Sequence, residues 1–149
     1  MAVDLKDLTM DDVLKALPLI VKDDFEGTFT YNLEMTDPDG TRVKNDKYWV
    51  KLMPGNVEYG EGHSDDPEAT TFTVNMGGLD TVLAFQVYGL EAATAAMIMG
   101  YIFTDNIKKA ESWFKVLKLG IEPIKEAMAS QGLELGDTHL DIFDELGMG

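Results

Sequence analysis

Midway along this chain the spacing of the apolar residues changes from two to three and four, and that change sets its fold class. Over residues 28–35, Phe29, Tyr31, Leu33 and Met35 alternate with Thr28, Thr30, Asn32 and Glu34, the period of two that sends side chains to opposite faces of a strand. Runs at 48–53, 56–60 and 70–76, divided by Pro54 and Gly55 and by the polar stretch 61–68, read as further antiparallel strands. Asp37, Pro38, Asp39 and Gly40 supply a turn between the first two. From Leu79 onward the spacing becomes three and four: Leu79, Val82, Leu83 and Val87, then an alanine-rich run to Met99, then Ile107, Ala110, Phe114, Leu117 and Ile121. Strands followed by segregated helices predict an α+β fold, a single antiparallel-rich sheet covered on one face by helices.

Helix ends are marked in the same way. Thr9 can cap a first helix with Asp11 and Asp12 in its opening turn, and Pro18 should kink or stop that helix near Leu17. Gly89 and Gly100 close the second and third helices, and Thr104 or Asp105 caps the fourth. A short β-type run at 101–104 lies between the last two. Beyond Gly120 a helix over 122–130 is expected, then a break at Gly132 and Gly136. The terminal piece, bearing Leu140, Ile142, Phe143 and Leu146, should dock by one face on the domain or on a second copy; the sequence favours docking as a lid near a cavity mouth.

The chain has 149 residues, the usual size of one domain, and 45% of them are hydrophobic, enough for one packed core. No apolar stretch is long enough for a bilayer of about 30 Å. Zero cysteines remove disulfides, thiolate metal sites and cysteine nucleophiles together. The N-terminus lacks the basic patch and apolar run of a secretory signal, which makes the cytoplasm the expected compartment. Twelve basic residues stand against 27 acidic ones, a net charge of −15 that disfavours nucleic acid as a partner. Lys108, Lys109, Lys115 and Lys118 are the exception, a local basic face able to meet an anionic membrane surface.

Leu79, Asp80, Thr81, Val82 and Leu83, then Gly89, the alanine-rich run closed by Met99 and Gly100, and Tyr101, Ile102, Phe103 and Thr104 before Lys109 and Ala110 resemble the sterol carrier protein type 2 family. The resemblance covers residues 12–118 of a single domain spanning 1–149, with 121–149 as a C-terminal helical extension. It implies a standalone, prokaryotic-like member with a sheet of about five strands backed by helices. Between the layers it implies an apolar cavity holding fatty acids, acyl-CoA or sterol-like molecules. By position the walls would be Tyr31, Leu33 and Val50 on the sheet, with Leu79, Val82, Leu83, Met97, Met99, Tyr101, Phe103, Phe114 and Leu117 opposite. Nine methionines suit a pocket that accommodates several ligands. Two departures stand out: Asp105 and Asn106 replace the glycine-led pair common in the family, and the final Gly147, Met148 and Gly149 are not the peroxisomal tripeptide of animal relatives.

A carrier of this kind needs no catalytic set, cofactor or metal, and as a monomer or homodimer its partner would be a hydrophobic small molecule or lipid. Burying sixteen methylenes at about 0.8 kcal/mol each yields roughly 13 kcal/mol. Immobilisation would consume about 4 kcal/mol or more of that, leaving micromolar to nanomolar affinity. Two alternatives stay open: an accessory or interaction domain without a ligand, and an enzyme acting on an apolar substrate through a carboxylate. For the latter, Glu61, His63, Asp65 and Asp66 are the available cluster, but they sit in a loop of turn formers, and His139 is the only other histidine. The turn at 37–40 lacks the first ligand and the bidentate glutamate of a calcium loop, Asp46 standing in the glutamate's place. Ser64, Ser112 and Ser130 show no partner histidine.

Overall fold

In the computed structural model, which describes residues 1–148, five strands form one mixed sheet in the order β4-β3-β2-β5-β6. They are β2 (Phe29–Met35), β3 (Lys47–Met53), β4 (Asn56–Glu61), β5 (Thr70–Val74) and β6 (Ile102–Thr104). Six helices accompany them: α1 (Met10–Ile20), α2 (Gly78–Tyr88), α3 (Leu90–Ile98), α4 (Ile107–Val116), α5 (Ile121–Ala129) and α6 (Asp141–Glu145). The fold is α+β. No helix among the described residues is long and apolar enough to cross a membrane.

The strands sit where the period of two places them, but one pairing departs from the antiparallel expectation. Strand β5 runs parallel to β2, with Leu33 opposite Phe72, while β2–β3, β3–β4 and β5–β6 are antiparallel. The hairpin of β3 and β4 occupies one side of β2, so the chain must cross back to the other. Because β4 and β5 point the same way, residues 62–69 have to return the length of a strand. They do so across the sheet face that carries no helix. His63 lies 3.8 Å from Glu34, the Ser64 amide donates to Asn32 Oδ1 at 2.8 Å, and the Thr30 hydroxyl bonds to Asp66. This crossing covers Thr30 and Asn32, which explains two buried polar residues on the outward face.

Several local expectations hold. Thr9 Oγ1 accepts from the Asp12 amide at 3.1 Å and Asp12 Oδ2 from the Thr9 amide at 2.9 Å, a complete capping box. Gly77 takes φ 82°, and a Cβ there would run into Thr81 Oγ1, so the turn into α2 needs glycine. Two expectations are corrected. Helix α1 runs through Pro18 to Ile20, because Leu17 and Ile20 are buried and the Val21 amide bonds to the Leu17 carbonyl at 3.0 Å. Asn106, rather than Thr104 or Asp105, caps α4, its Oδ1 accepting from the Lys109 amide, since the Asp105 carboxylate is occupied by the Thr71 amide at 3.0 Å.

A second, two-stranded sheet was not foreseen. Strand β1 (Ala2–Val3) pairs in parallel with β7 (Glu134–Leu135), tying the two ends of the chain together. Two residues with no alternation offer no period to read. One hydrophobic cluster runs through the molecule from Leu5 to Leu146. The end of α4 is strapped to the end of α1 by the Lys22 amide on the Val116 carbonyl and the Lys118 amide on the Ile20 carbonyl, each 2.8 Å.

Candidate functional site

The inward face of the sheet presents Tyr31, Leu33, Val50 and Phe72 to α2 and α4. Five aromatic rings fill the space between the layers. Tyr31 stacks on Phe72 at 5.8 Å and meets Trp113 edge-on at 5.0 Å; Phe72 in turn lies 6.4 Å from Phe85, which meets Phe114 at 6.3 Å. Behind Trp113, its indole Nε1 donates to Gln86 Oε1 at 2.5 Å, both side chains buried. The Gln86 Nε2 donor has no partner among the described residues. A buried amide left unpaired is costly, so it marks where an acceptor oxygen would be favoured.

Where β2 and β5 begin and α4 starts, the layers part to leave a pocket of about 480 Å³. Phe29 and Tyr31 line it together with Thr28, Thr30, Thr70 and Ser112, and Lys108, Lys109, Asp66 and Glu68 complete the lining. The Tyr31 hydroxyl and Ser112 Oγ share a hydrogen bond, and Ser112 Oγ also donates to the Lys109 carbonyl at 2.5 Å. Burial pushes the Tyr31 phenol up to about 12, against the pull of the Ser112 bond. Lys109 Nζ bonds to Glu68 Oε2 at 2.6 Å, joining α4 to the loop before β5. The Glu68 amide, followed by the Thr30 hydroxyl, holds the Asp66 carboxyl below its ordinary value. Phe29 and Tyr31, the threonine and serine hydroxyls and two lysines give the cleft an apolar, hydroxyl-bearing and charged lining side by side.

A second cleft of about 490 Å³ lies between α1 and the β3–β4 end of the sheet, lined among others by Met10, Leu14, Arg42, Tyr48 and Tyr59. Arg42 is engaged there as a clasp. Its Nε donates to the Leu8 carbonyl and its Nη1 to Asp80 Oδ1, each at 2.8 Å, joining the approaches to α1 and α2.

The residues singled out by position divide into three sets. Tyr31, Leu33, Val50, Leu79, Val82, Leu83 and Leu117 lie in one buried cluster. Met97, Tyr101 and Phe114 pack partly buried against it, whereas Met99 and Phe103 stand at the surface. Tyr31 alone of the twelve borders the 480 Å³ pocket. Sequence reasoning passed over Phe29, Thr70 and Ser112 in the pocket and Phe72, Phe85, Gln86 and Trp113 behind it. The alternation at 70–74 points Phe72 inward, and Trp113 falls three residues after Ala110, so both carried a signal. Ser112 was weighed only as a nucleophile. The cluster around His63 holds no metal geometry: no group of three or more suitable ligands occurs among the described residues.

Helix α6 docks on the domain as its apolar stripe requires. Leu140, Ile142, Phe143 and Leu146 are buried, Phe143 meets Tyr88 at 5.0 Å, and the Tyr101 hydroxyl donates to Glu145 Oε1 at 2.6 Å. It shares no residue with the lining of the 480 Å³ pocket.

No protein-family model matches the chain, and no curated protein matches it. Among solved structures it is similar to a double mutant of the sec-alkyl sulfatase PisA1, with 22% identity and a TM-score of 0.57, over 74% of this chain and 16% of that one. A structure of the stereoselective inverting sec-alkylsulfatase Pisa1 from Pseudomonas sp. gives 21% identity and a TM-score of 0.43, over 75% of this chain and 14% of that one. The first likeness is one of fold, and this chain spans only a small part of the protein that shares it.

Proposed function

We propose that this protein is a sterol-carrier-like binder of lipids or other hydrophobic small molecules, taking an acyl or sterol-like body between the sheet and its helices. The observation that carries the reading is the pocket of about 480 Å³ lined by Phe29 and Tyr31 together with Lys108 and Lys109. Its volume is within the range of about 300–1,000 Å³ usual for sites that enclose a small molecule. The unpaired Gln86 Nε2, which lies behind Tyr31 and Trp113, supports an oxygen-bearing ligand that extends inward. In this reading the aromatic rings shift to admit the chain, and the protein binds without catalysis in the cytoplasm.

Native mass spectrometry of the purified protein, before and after organic extraction, tests the reading. Adducts of lipid mass that extraction removes are expected. A folded protein with no adduct, and an extract with no amphiphile, would count against it.

A second reading has one observation in its favour. The fold occurs as a minor part of a larger chain, which suits an accessory or interaction domain that holds no ligand. The same spectra separate the two.

A further inference from the structure

We propose that the free edge of the sheet, residues 98–109 with the outer side of α4, is a docking surface for anionic lipid bilayers. Four of the large hydrophobic side chains left in water fall within ten consecutive residues: Ile98 (81% exposed), Met99 (47%), Phe103 (60%) and Ile107 (58%). The segment holding them carries β6, the last strand of the sheet, and no strand lies beyond it. Phe103 pairs with Thr73 and so points to the face away from the helices, while Ile98 and Ile107 lie before and after the strand. Exposed apolar side chains on and flanking an open sheet edge mark a surface that meets something.

Charge selects the occupant. Residues 98–118 hold four lysines against Asp105 and Glu111, in a chain whose net charge is −15. Asp105 is occupied by the Thr71 amide, and Lys109 pairs with Glu68, but Lys108, Lys115 and Lys118 are exposed and make no ion pair among the described residues. A second copy would bring the same positive excess to the contact. Nucleic acid would meet the lysines but not the apolar side chains. A bilayer interface supplies anionic headgroups for the first and acyl chains for the second. Lys108 and Lys109 also border the 480 Å³ pocket, so docking would bring its opening to the lipid. That last consequence rests on the carrier reading; the docking itself does not.

Co-sedimentation of the full chain with vesicles of phosphatidylcholine alone, and of equal parts phosphatidylcholine and phosphatidylserine, tests the surface. The unaltered protein should bind the mixed vesicles more tightly. Replacing Ile98→Ser, Phe103→Ser and Ile107→Ser together should weaken binding about tenfold or more, since each withdraws an apolar side chain from the interface. Lys115→Gln with Lys118→Gln, neither of which lines the pocket, should weaken binding to the mixed vesicles about twentyfold and leave the neutral ones unaffected. Unfolding temperature and binding of a fluorescent fatty acid in vesicle-free solution should stay unchanged in both variants, so loss of docking is separable from loss of ligand binding. Failure of the unaltered protein to bind either vesicle, or variants that sediment like it, would overturn the proposal. So would a dimer that the triple serine variant dissolves in a chain that ignores vesicles, because the occupant would then be a second copy.

Discussion

Trp113 and Gln86, buried side by side on α4 and α2, share a hydrogen bond of 2.5 Å that joins the two helices across the aromatic layer. A polar link in such a place acts as a locator. It fixes how α4 lies against α2, and through Ser112 on the same helix it fixes one wall of the pocket.

Replacing Trp113→Phe keeps a ring in the layer and removes the donor, leaving Gln86 with neither amide group satisfied by a side chain. The expected loss is about 1–3 kcal/mol, the usual penalty for a stranded buried polar group. Urea unfolding measures it; a midpoint equal to that of the unaltered protein would mean that the bond contributes nothing net.

Tyr31 should report its burial through its titration. Its folded pKa is raised from 10.0 to about 12 by desolvation, so the protonated phenol adds stability that is complete below its unfolded value and lost as pH rises toward about 12. Ultraviolet titration of the five tyrosines should show Tyr31 ionising last, after Tyr101, whose pKa is also raised by its hydrogen bond to Glu145, and Tyr31→Phe should delete that last step. A single early transition for all five would show Tyr31 to be solvated.

The capping box at the start of α1 gives a third expectation. Thr9→Ala removes the acceptor for the Asp12 amide and should cost about 1 kcal/mol. Thr9→Ser, which restores an acceptor, should recover most of it. Equal stability of the alanine and serine variants would contradict the role.

Phe143 sits against Tyr88 in the buried cluster, so Phe143→Ala should destabilise by about 3–5 kcal/mol, as large core truncations do. A tail serving only as a lid would tolerate the change and alter ligand release alone. Denaturant midpoints and off-rates measured on the same variant distinguish these.

How much of this was legible depended on whether a residue answers to a period. Phe29, Tyr31, Leu33 and Met35 announce their strand and its inward face by alternation, and the turn residues bracket it. The parallel pairing of β5 with β2 was not legible, because 70–74 alternates in the same way whichever direction its neighbour runs. It follows instead from the route of residues 62–69 over Glu34, Asn32 and Thr30. The two-residue strands β1 and β7 lie below the length at which a period exists. In the pocket, Tyr31 was legible as an inward aromatic and Lys108 and Lys109 as a local excess of charge. Ser112 and Thr70 were not, since a hydroxyl becomes a wall only when two distant elements face one another. Met99 and Phe103, which the resemblance made cavity walls by position, stand in water, Met99 at the C-terminal cap of α3 and Phe103 on the outward side of the edge strand β6.

The most direct measurement is titration of the delipidated protein with a fluorescent polyene fatty acid, paired with Ser112→Trp, which places an indole where the pocket stands. The carrier reading expects saturable binding near one ligand per chain at micromolar affinity or tighter, lost in Ser112→Trp while its circular dichroism and unfolding temperature match those of the unaltered protein. A folded, delipidated protein that shows no saturable binding, or a Ser112→Trp variant that binds as well as the original, would contradict it.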